Sequence, residues 1–187
     1  MRSSTYLVLA LTAALAMTAS FPAASAEDCP SVTPQRWARG ECKIADLRAS
    51  LFKTMDESAR ALISDDCSSV SPEKWLVGTW KIGQTMLIIV KNGDGFDWKM
   101  DRKVGQVSQT WGEKEAAQGT GRVASITGCK AELKGAYTAY SGRGAMGRNP
   151  IGWQMDYTLD LVALDHLAGT GIGYGQKPYR ILFGREK

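Results

Sequence analysis

The stretch from Leu76 to Arg102, LVGTWKIGQTMLIIVKNGDGFDWKMDR, constrains the fold of this chain more than any other. It reads as three consecutive strands. The first carries Gly78-Thr79-Trp80, the second is the apolar run Met86 to Val90, and the third follows the turn Asn92-Gly93-Asp94-Gly95. In the third, Phe96, Trp98 and Met100 alternate with Asp97, Lys99 and Asp101. A period of two puts the first set on one face of a strand and the charges on the other. A short Asn-Gly or Asp-Gly connection between two such runs is the strongest local hairpin signal.

The pattern continues to the end of the chain. Segments 75–83, 85–91, 95–102, 106–113, 119–127, 130–140, 152–164, 166–174 and 178–185 read as strands, most of them bounded by Gly, Asn, Asp or Pro. In 152–164, Trp153, Met155, Tyr157, Leu159 and Leu161 share one face, opposite Gln154, Asp156, Thr158 and Asp160. The expected fold is mainly β: an antiparallel up-and-down barrel of eight or nine strands with an N-terminal amphipathic helix. Closure is favoured because it removes exposed strand edges. A two-sheet sandwich is the alternative.

The part before the strands is different in kind. Met1-Arg2, the apolar run Leu7 to Met17 and Ala24-Ser25-Ala26 have the order of a secretory signal. The apolar run is too short to span a bilayer. Cleavage is expected after Ala26, which divides the chain into a signal peptide (1–26), a helical, disulfide-tied segment (27–72) and a barrel domain (73–187). Cys29 follows Glu27-Asp28 rather than the cleavage site itself, so lipidation is not expected. The expected location is periplasmic or secreted, with no integral membrane segment.

Residues 27–42, with two prolines and no periodicity, read as a loop, and 44–64 as an amphipathic helix with Ile44, Leu47, Leu51, Met55, Ala59 and Leu62 along one side. The functional reading of that stripe is a partner or membrane surface; the structural one, which we prefer, is packing on the outside or end of the barrel itself. All four cysteines (Cys29, Cys42, Cys67 and Cys129) follow the signal, and an even number in an exported chain argues for two disulfides. None has CxxC spacing, and the chain has one histidine, so no metal site and no cofactor is expected. Cys42 and Cys67 flank a helix of roughly 20 residues, roughly 30 Å long, whereas disulfide Cα atoms lie within about 7 Å. The pairing favoured is therefore Cys29–Cys42 with Cys67–Cys129. Removing Arg2 takes the formal charge from +4 to +3, and the basic residues are scattered, which gives no support to nucleic acid as a partner.

With these residues in view, the region 76–187 resembles the calycin superfamily, the lipocalin and avidin-type barrels. Those families open their first strand with Gly-x-Trp, here Gly78-Thr79-Trp80, and a basic side chain from the last strand covers the Trp at the closed end. The last strand, KPYRILFGREK, offers Arg180 or Arg185. Alternation places Arg180 opposite Tyr179, Ile181 and Phe183, which leaves Arg185 at least as good a candidate. The avidin variant is similar in its Leu-x-Gly-Thr-Trp, in Gly135-Ala136-Tyr137 and in Gly152-Trp153. Biotin binding is not implied, because Ile82 and Met86 stand where avidins hold polar ureido ligands. The resemblance implies a lipocalin-like fold and a role in binding small molecules.

The candidate ligand-binding residues are Trp98, Met100, Trp111, Tyr137, Trp153, Met155 and Tyr157. Large flat side chains with polar tips suit apolar or planar ligands if the barrel is hollow, and otherwise fill its core. The Gly-rich connection Ser141 to Gly152, with Arg143 and Arg148, is either a loop over the barrel mouth or a plain strand connection; it lacks the Lys-Ser/Thr of a phosphate loop. Gly169, Gly171, Gly173 and Gly175 alternate along a strand, which permits close approach of the preface helix or a sharp bend of the wall. No nucleophile setting accompanies Asp165-His166, and Asp97, Asp101, Asp156 and Asp160 alternate onto a solvated wall, so no catalytic constellation is recognised. Two functions are carried forward. The first is an exported noncatalytic barrel that binds a small apolar or aromatic molecule. The second is a protein-interaction module, such as an extracellular enzyme inhibitor or a cell-envelope assembly factor. A cavity inside the barrel discriminates between them.

Overall fold

The computed structural model describes residues 33–55, 67, 70–104, 115–141, 149–173 and 177–186. Eight antiparallel strands follow one another around a closed barrel: β1 (Gly78–Ile82), β2 (Thr85–Asn92), β3 (Gly95–Val104), β4 (Glu115–Thr127), β5 (Lys130–Ser141), β6 (Asp156–Ala163), β7 (His166–Ile172) and β8 (Pro178–Arg185). Every strand pairs with its sequence neighbours, and β1 closes the ring on β8 through Trp80 opposite Arg185 and Lys81 opposite Gly184. The barrel therefore prevails over the sandwich, with eight strands. The expected strand 106–113 lies outside the described residues.

Alternation orders the interior as the sequence predicts. Trp98 and Met100 on β3, Leu87 and Ile89 on β2, and Tyr157, Leu159 and Leu161 on β6 are all buried. Trp98 meets Tyr157 edge to face at 5.6 Å, and Tyr157 meets Phe183 at 6.4 Å. Such edge contacts add to area burial. β6 begins at Asp156, later than expected, because Gly152 turns the chain at φ +83° and Trp153 N–H bonds back to Pro150. Residues 153–155 still lie along β5, through Tyr137 N–H to Trp153 O and Met155 N–H to Gly135 O.

One end of the barrel is plugged. Trp80 is fully buried and donates its indole N–H to Leu76 O at 2.9 Å. The Arg185 guanidinium stacks on it, 4.2 Å from the ring centroid. The same guanidinium donates to the carbonyls of Val77 (2.8 Å) and Trp75 (2.8 Å), around the short helix α3 (Pro72–Trp75) that closes this end. Gly78 adopts φ +145°, and a Cβ there would stand 2.8 Å from Arg185 Nη1, so the glycine of Gly-x-Trp makes room for the arginine. Arg180 takes the other part. It points outward, stacks 4.7 Å over Trp37 and donates to Cys42 O at 2.5 Å.

Trp37 belongs to α1 (Pro34–Ala38), in a segment that reads as loop. Thr33 caps it, its hydroxyl accepting from Arg36 N–H at 3.2 Å, and Pro34 stands in the first turn, a pairing that starts helices. The next helix, α2 (Ile44–Thr54), ends earlier than periodicity suggests, because Met55 is extended; the expected remainder lies outside the described residues. Trp37, Leu47, Ile44 and Leu51 pack on Val162, Ala168 and Leu182, the outward residues of β6, β7 and β8. Phe52 and Met55 turn instead toward the barrel core. The described part of the apolar stripe, Ile44 to Met55, is thus spent on the chain's own barrel. Cys67 and Cys129 form a disulfide, with Cα atoms 5.0 Å apart, tying the segment before α3 to the β4–β5 turn. Cys42 is also disulfide-bonded; its expected partner, Cys29, lies outside the described residues. Among the described residues, no helix is long and apolar enough to cross a membrane.

Candidate functional site: a tyrosine-lined barrel mouth

The other end of the barrel is open and leads into a cavity of about 390 Å³. Its walls come from six strands: Ile82 of β1, Thr85 of β2, Met100 and Arg102 of β3, Tyr137 of β5, Tyr157 of β6, and Tyr179, Ile181 and Phe183 of β8, with Arg180 at the edge. Each inward residue obeys the phase of its strand. Tyr179 is in step with Ile181 and Phe183, Tyr157 with Leu159, and Arg102 with Met100. The barrel is therefore neither wholly filled nor wholly hollow. Trp80, Ile89, Trp98, Leu159 and Leu167 pack its inside, and the tyrosines rim the space left above them.

Glycines on and just after β7 make that space. A Cβ at Gly171 would stand 2.8 Å from the Tyr179 ring carbon Cζ and 3.0 Å from Tyr157 Cδ1. A Cβ at Gly173 would stand 2.7 Å from the Tyr137 hydroxyl. The alternating glycines therefore face inward and receive tyrosine rings. The preface helices do not use them; they lie on the opposite face of β7, at Ala168.

Tyr157 and Tyr179 line the cavity side by side, both rings packed over Gly171. Burial pushes the Tyr157 hydroxyl far above its ordinary range, with the neighbouring tyrosine hydroxyls adding to the effect and the Arg102 guanidinium opposing it. Burial pushes Tyr179 up as well; its ring is partly open to solvent while its hydroxyl reaches in over Gly171. Both phenols are thus neutral donors at any ordinary pH.

The expected ligand-binding residues divide by depth. Met100, Tyr137 and Tyr157 line the cavity. Trp98 and Met155 are buried in the packed core and are not among its walls, and Trp98 Nε1 has no hydrogen-bond partner among the described residues. Trp153 is half-buried, packed against the core from the turn before β6. Trp111, Arg143 and Arg148 lie outside the described residues. Tyr179 and Arg102 were not anticipated. The signal that could have found them is phase: each continues the inward series of its strand to the rim. The acidic wall needs a correction. Asp156, expected to be solvated, is buried, because Lys134 Nζ (2.8 Å), the Gln154 amide and Gly135 N–H (3.3 Å) close over its carboxylate.

A larger concavity, about 730 Å³, lies on the outer wall of β2, β3 and β4, between Ile88, Val90, Lys99, Thr120 and Arg122. It is an open trough over a sheet face, whereas the mouth is enclosed by strands on all sides, and we take the mouth as the candidate site. Asp165 and His166, 2.7 Å apart, sit in the β6–β7 turn at the plugged end, away from it. No family model matches this chain, and no curated protein or solved structure is similar to it.

Proposed function

We propose that this chain is an exported, noncatalytic β-barrel that binds a small apolar or aromatic molecule in the barrel mouth. The observation that carries the reading is the cavity of about 390 Å³, which falls within the range of small-molecule sites and has their mixture of apolar walls and few convergent polar groups. Met100, Ile181 and Phe183 supply apolar surface, and three tyrosines supply flat faces with hydroxyl tips. Export is supported by the signal-like start of the sequence and by the Cys67–Cys129 disulfide. A calycin-like ancestry is supported by Gly78-Thr79-Trp80 with Arg185 stacked on the indole, the plug that those barrels use.

A second reading, an interaction module, draws on the same rim, where Ile82, Ile151 and Tyr179 are exposed. Native mass spectrometry of the protein from the cells that make it, repeated after denaturation, separates the two. A small mass that disappears on denaturation is expected. A bare chain that also leaves its tyrosine and tryptophan fluorescence unchanged on addition of 1-naphthol would sink the ligand reading in favour of the second.

A further inference from the structure

The mouth is biased in charge. Among the described wall residues two are cationic, Arg102 and Arg180, and none is acidic. Arg180 is engaged elsewhere, stacked on Trp37 and bonded to Cys42 O. Arg102 is not engaged: among the described residues, no hydrogen bond, ion pair or ring contact takes its guanidinium. Its position is unusual for a cation. It follows Phe96, Trp98 and Met100 in the inward phase of β3, opposite Thr85 of β2, where the strand reaches the open rim. Its charge is felt by the hydroxyls of both Tyr157 and Tyr179.

We propose that the cavity selects small apolar monocarboxylates, with the hydrocarbon or aromatic body against Met100, Ile181 and Phe183 and the acid group at the rim between Arg102 and the Tyr157–Tyr179 hydroxyl pair. This deepens the ligand-binding reading above and rests on it. The chemistry is complementary at each point. A guanidinium fork matches a carboxylate, and its bonds to an anion are the stronger, charge-assisted kind. Tyr157 and Tyr179 both line the cavity, and a phenol hydroxyl there can donate to a carboxylate oxygen. Because burial keeps these phenols protonated, they remain donors wherever the ligand is ionised. A cationic ligand would place like charges together in a partly desolvated mouth, and a neutral one would leave Arg102 without a partner.

The test uses two probes of one shape, 1-naphthaleneacetate and 2-(1-naphthyl)ethanol, titrated by calorimetry into the purified protein and into Arg102→Gln. The acetate is expected to bind about tenfold or more tightly than the alcohol, the scale of one charge-assisted hydrogen bond. In Arg102→Gln that gap should close. Raising the salt should also narrow the gap in the wild type, since Arg102 is at the exposed rim. An unchanged thermal midpoint and circular dichroism spectrum show that the variant is folded. Equal affinities in the wild type, or a gap that survives Arg102→Gln, would overturn the carboxylate assignment and leave the cavity reading standing. Binding of neither probe would remove the cavity reading, and the inference with it.

Discussion

Arg180 and Arg185 lie on one strand and do opposite jobs because their phases differ. Arg185 continues the inward series of Tyr179, Ile181 and Phe183 and caps Trp80, whereas Arg180 points outward and holds Trp37. Trp80→Ala should therefore cost about 3–5 kcal/mol in denaturant unfolding, the usual loss for a buried aromatic; a change below about 1 kcal/mol would show that the plug contributes little. The two aspartates of β6 make a second contrast. Burial raises the Asp156 carboxyl, but bonds from Lys134, Gln154 and Gly135 N–H outweigh it, so its net shift is downward. Its ionised form is then preferred in the folded state, and its contribution is complete above the unfolded carboxylate range and lost as pH falls through the lower folded value. Asp156→Asn should destabilise by about 1–3 kcal/mol at pH 7, and the gap should close as pH falls through the lowered folded value. Asp160 shifts upward, because burial beneath α2 outweighs Lys130 and Arg48. The folded state holds that proton more tightly, so the cost of ionising Asp160 sets in as pH rises through its folded value. Urea melts of Asp160→Asn should thus show the wild type gaining on the variant as pH falls, the reverse of Asp156→Asn.

Among the elements, α1 and α2 join the barrel through a thin set of contacts: the Trp37 indole N–H to Ile181 O at 3.0 Å, Arg48 to Leu161 O at 2.9 Å, and the patch on Val162, Ala168 and Leu182. Trp37→Ala should release these helices before it unfolds the barrel, since every strand is paired on both sides. Hydrogen exchange would show lost protection in 35–53 with β2, β3 and β6 still protected; uniform loss would mean that the helices are integral to barrel stability. The strands themselves were legible because alternation is a local signal. Phe96, Trp98 and Met100, or Tyr157, Leu159 and Leu161, declare their face without reference to the rest of the chain. α1 was missed because Pro34 lies among irregular residues, although Thr33-Pro34 carries a start signal. The mouth was only half legible. Met100, Tyr137 and Tyr157 stood out by type and phase, but their convergence with Tyr179 and Arg102 depends on register between β3, β5, β6 and β8, which no local pattern encodes. Gly171 and Gly173 held a usable hint, since small residues in one strand face bulky ones in its neighbours. Asp156 misled because a polar residue in outward phase need not be wet when its neighbours fold over it.

The molecule as a whole separates its two tasks along the barrel axis. The plugged end gathers Trp80, Arg185, α3 and the Cys67–Cys129 disulfide; the open end gathers the tyrosines and Arg102. The disulfide bridges a sequence separation of 62, so reducing it should cost about 4 kcal/mol if chain entropy dominates. That loss should leave probe affinity unchanged once folding is accounted for. The separation also predicts additivity. Trp80→Phe perturbs the plug, and Tyr179→Phe removes one hydroxyl at the mouth. The two residues share no partner among the described residues: Trp80 bonds to Leu76 and stacks with Arg185, while Tyr179 covers Gly171 beside Tyr157. Substitutions without shared partners add to within about 0.5 kcal/mol. A double-mutant cycle on unfolding free energy should therefore return a coupling below that value, and the rise in stability with saturating 1-naphthaleneacetate should be the same in Trp80→Phe as in the wild type. A coupling above about 1 kcal/mol would mean that the packed layer of Trp98, Leu159 and Phe183 transmits strain between the ends. Ligand occupancy would then be read at the plug, and the barrel would act as one unit.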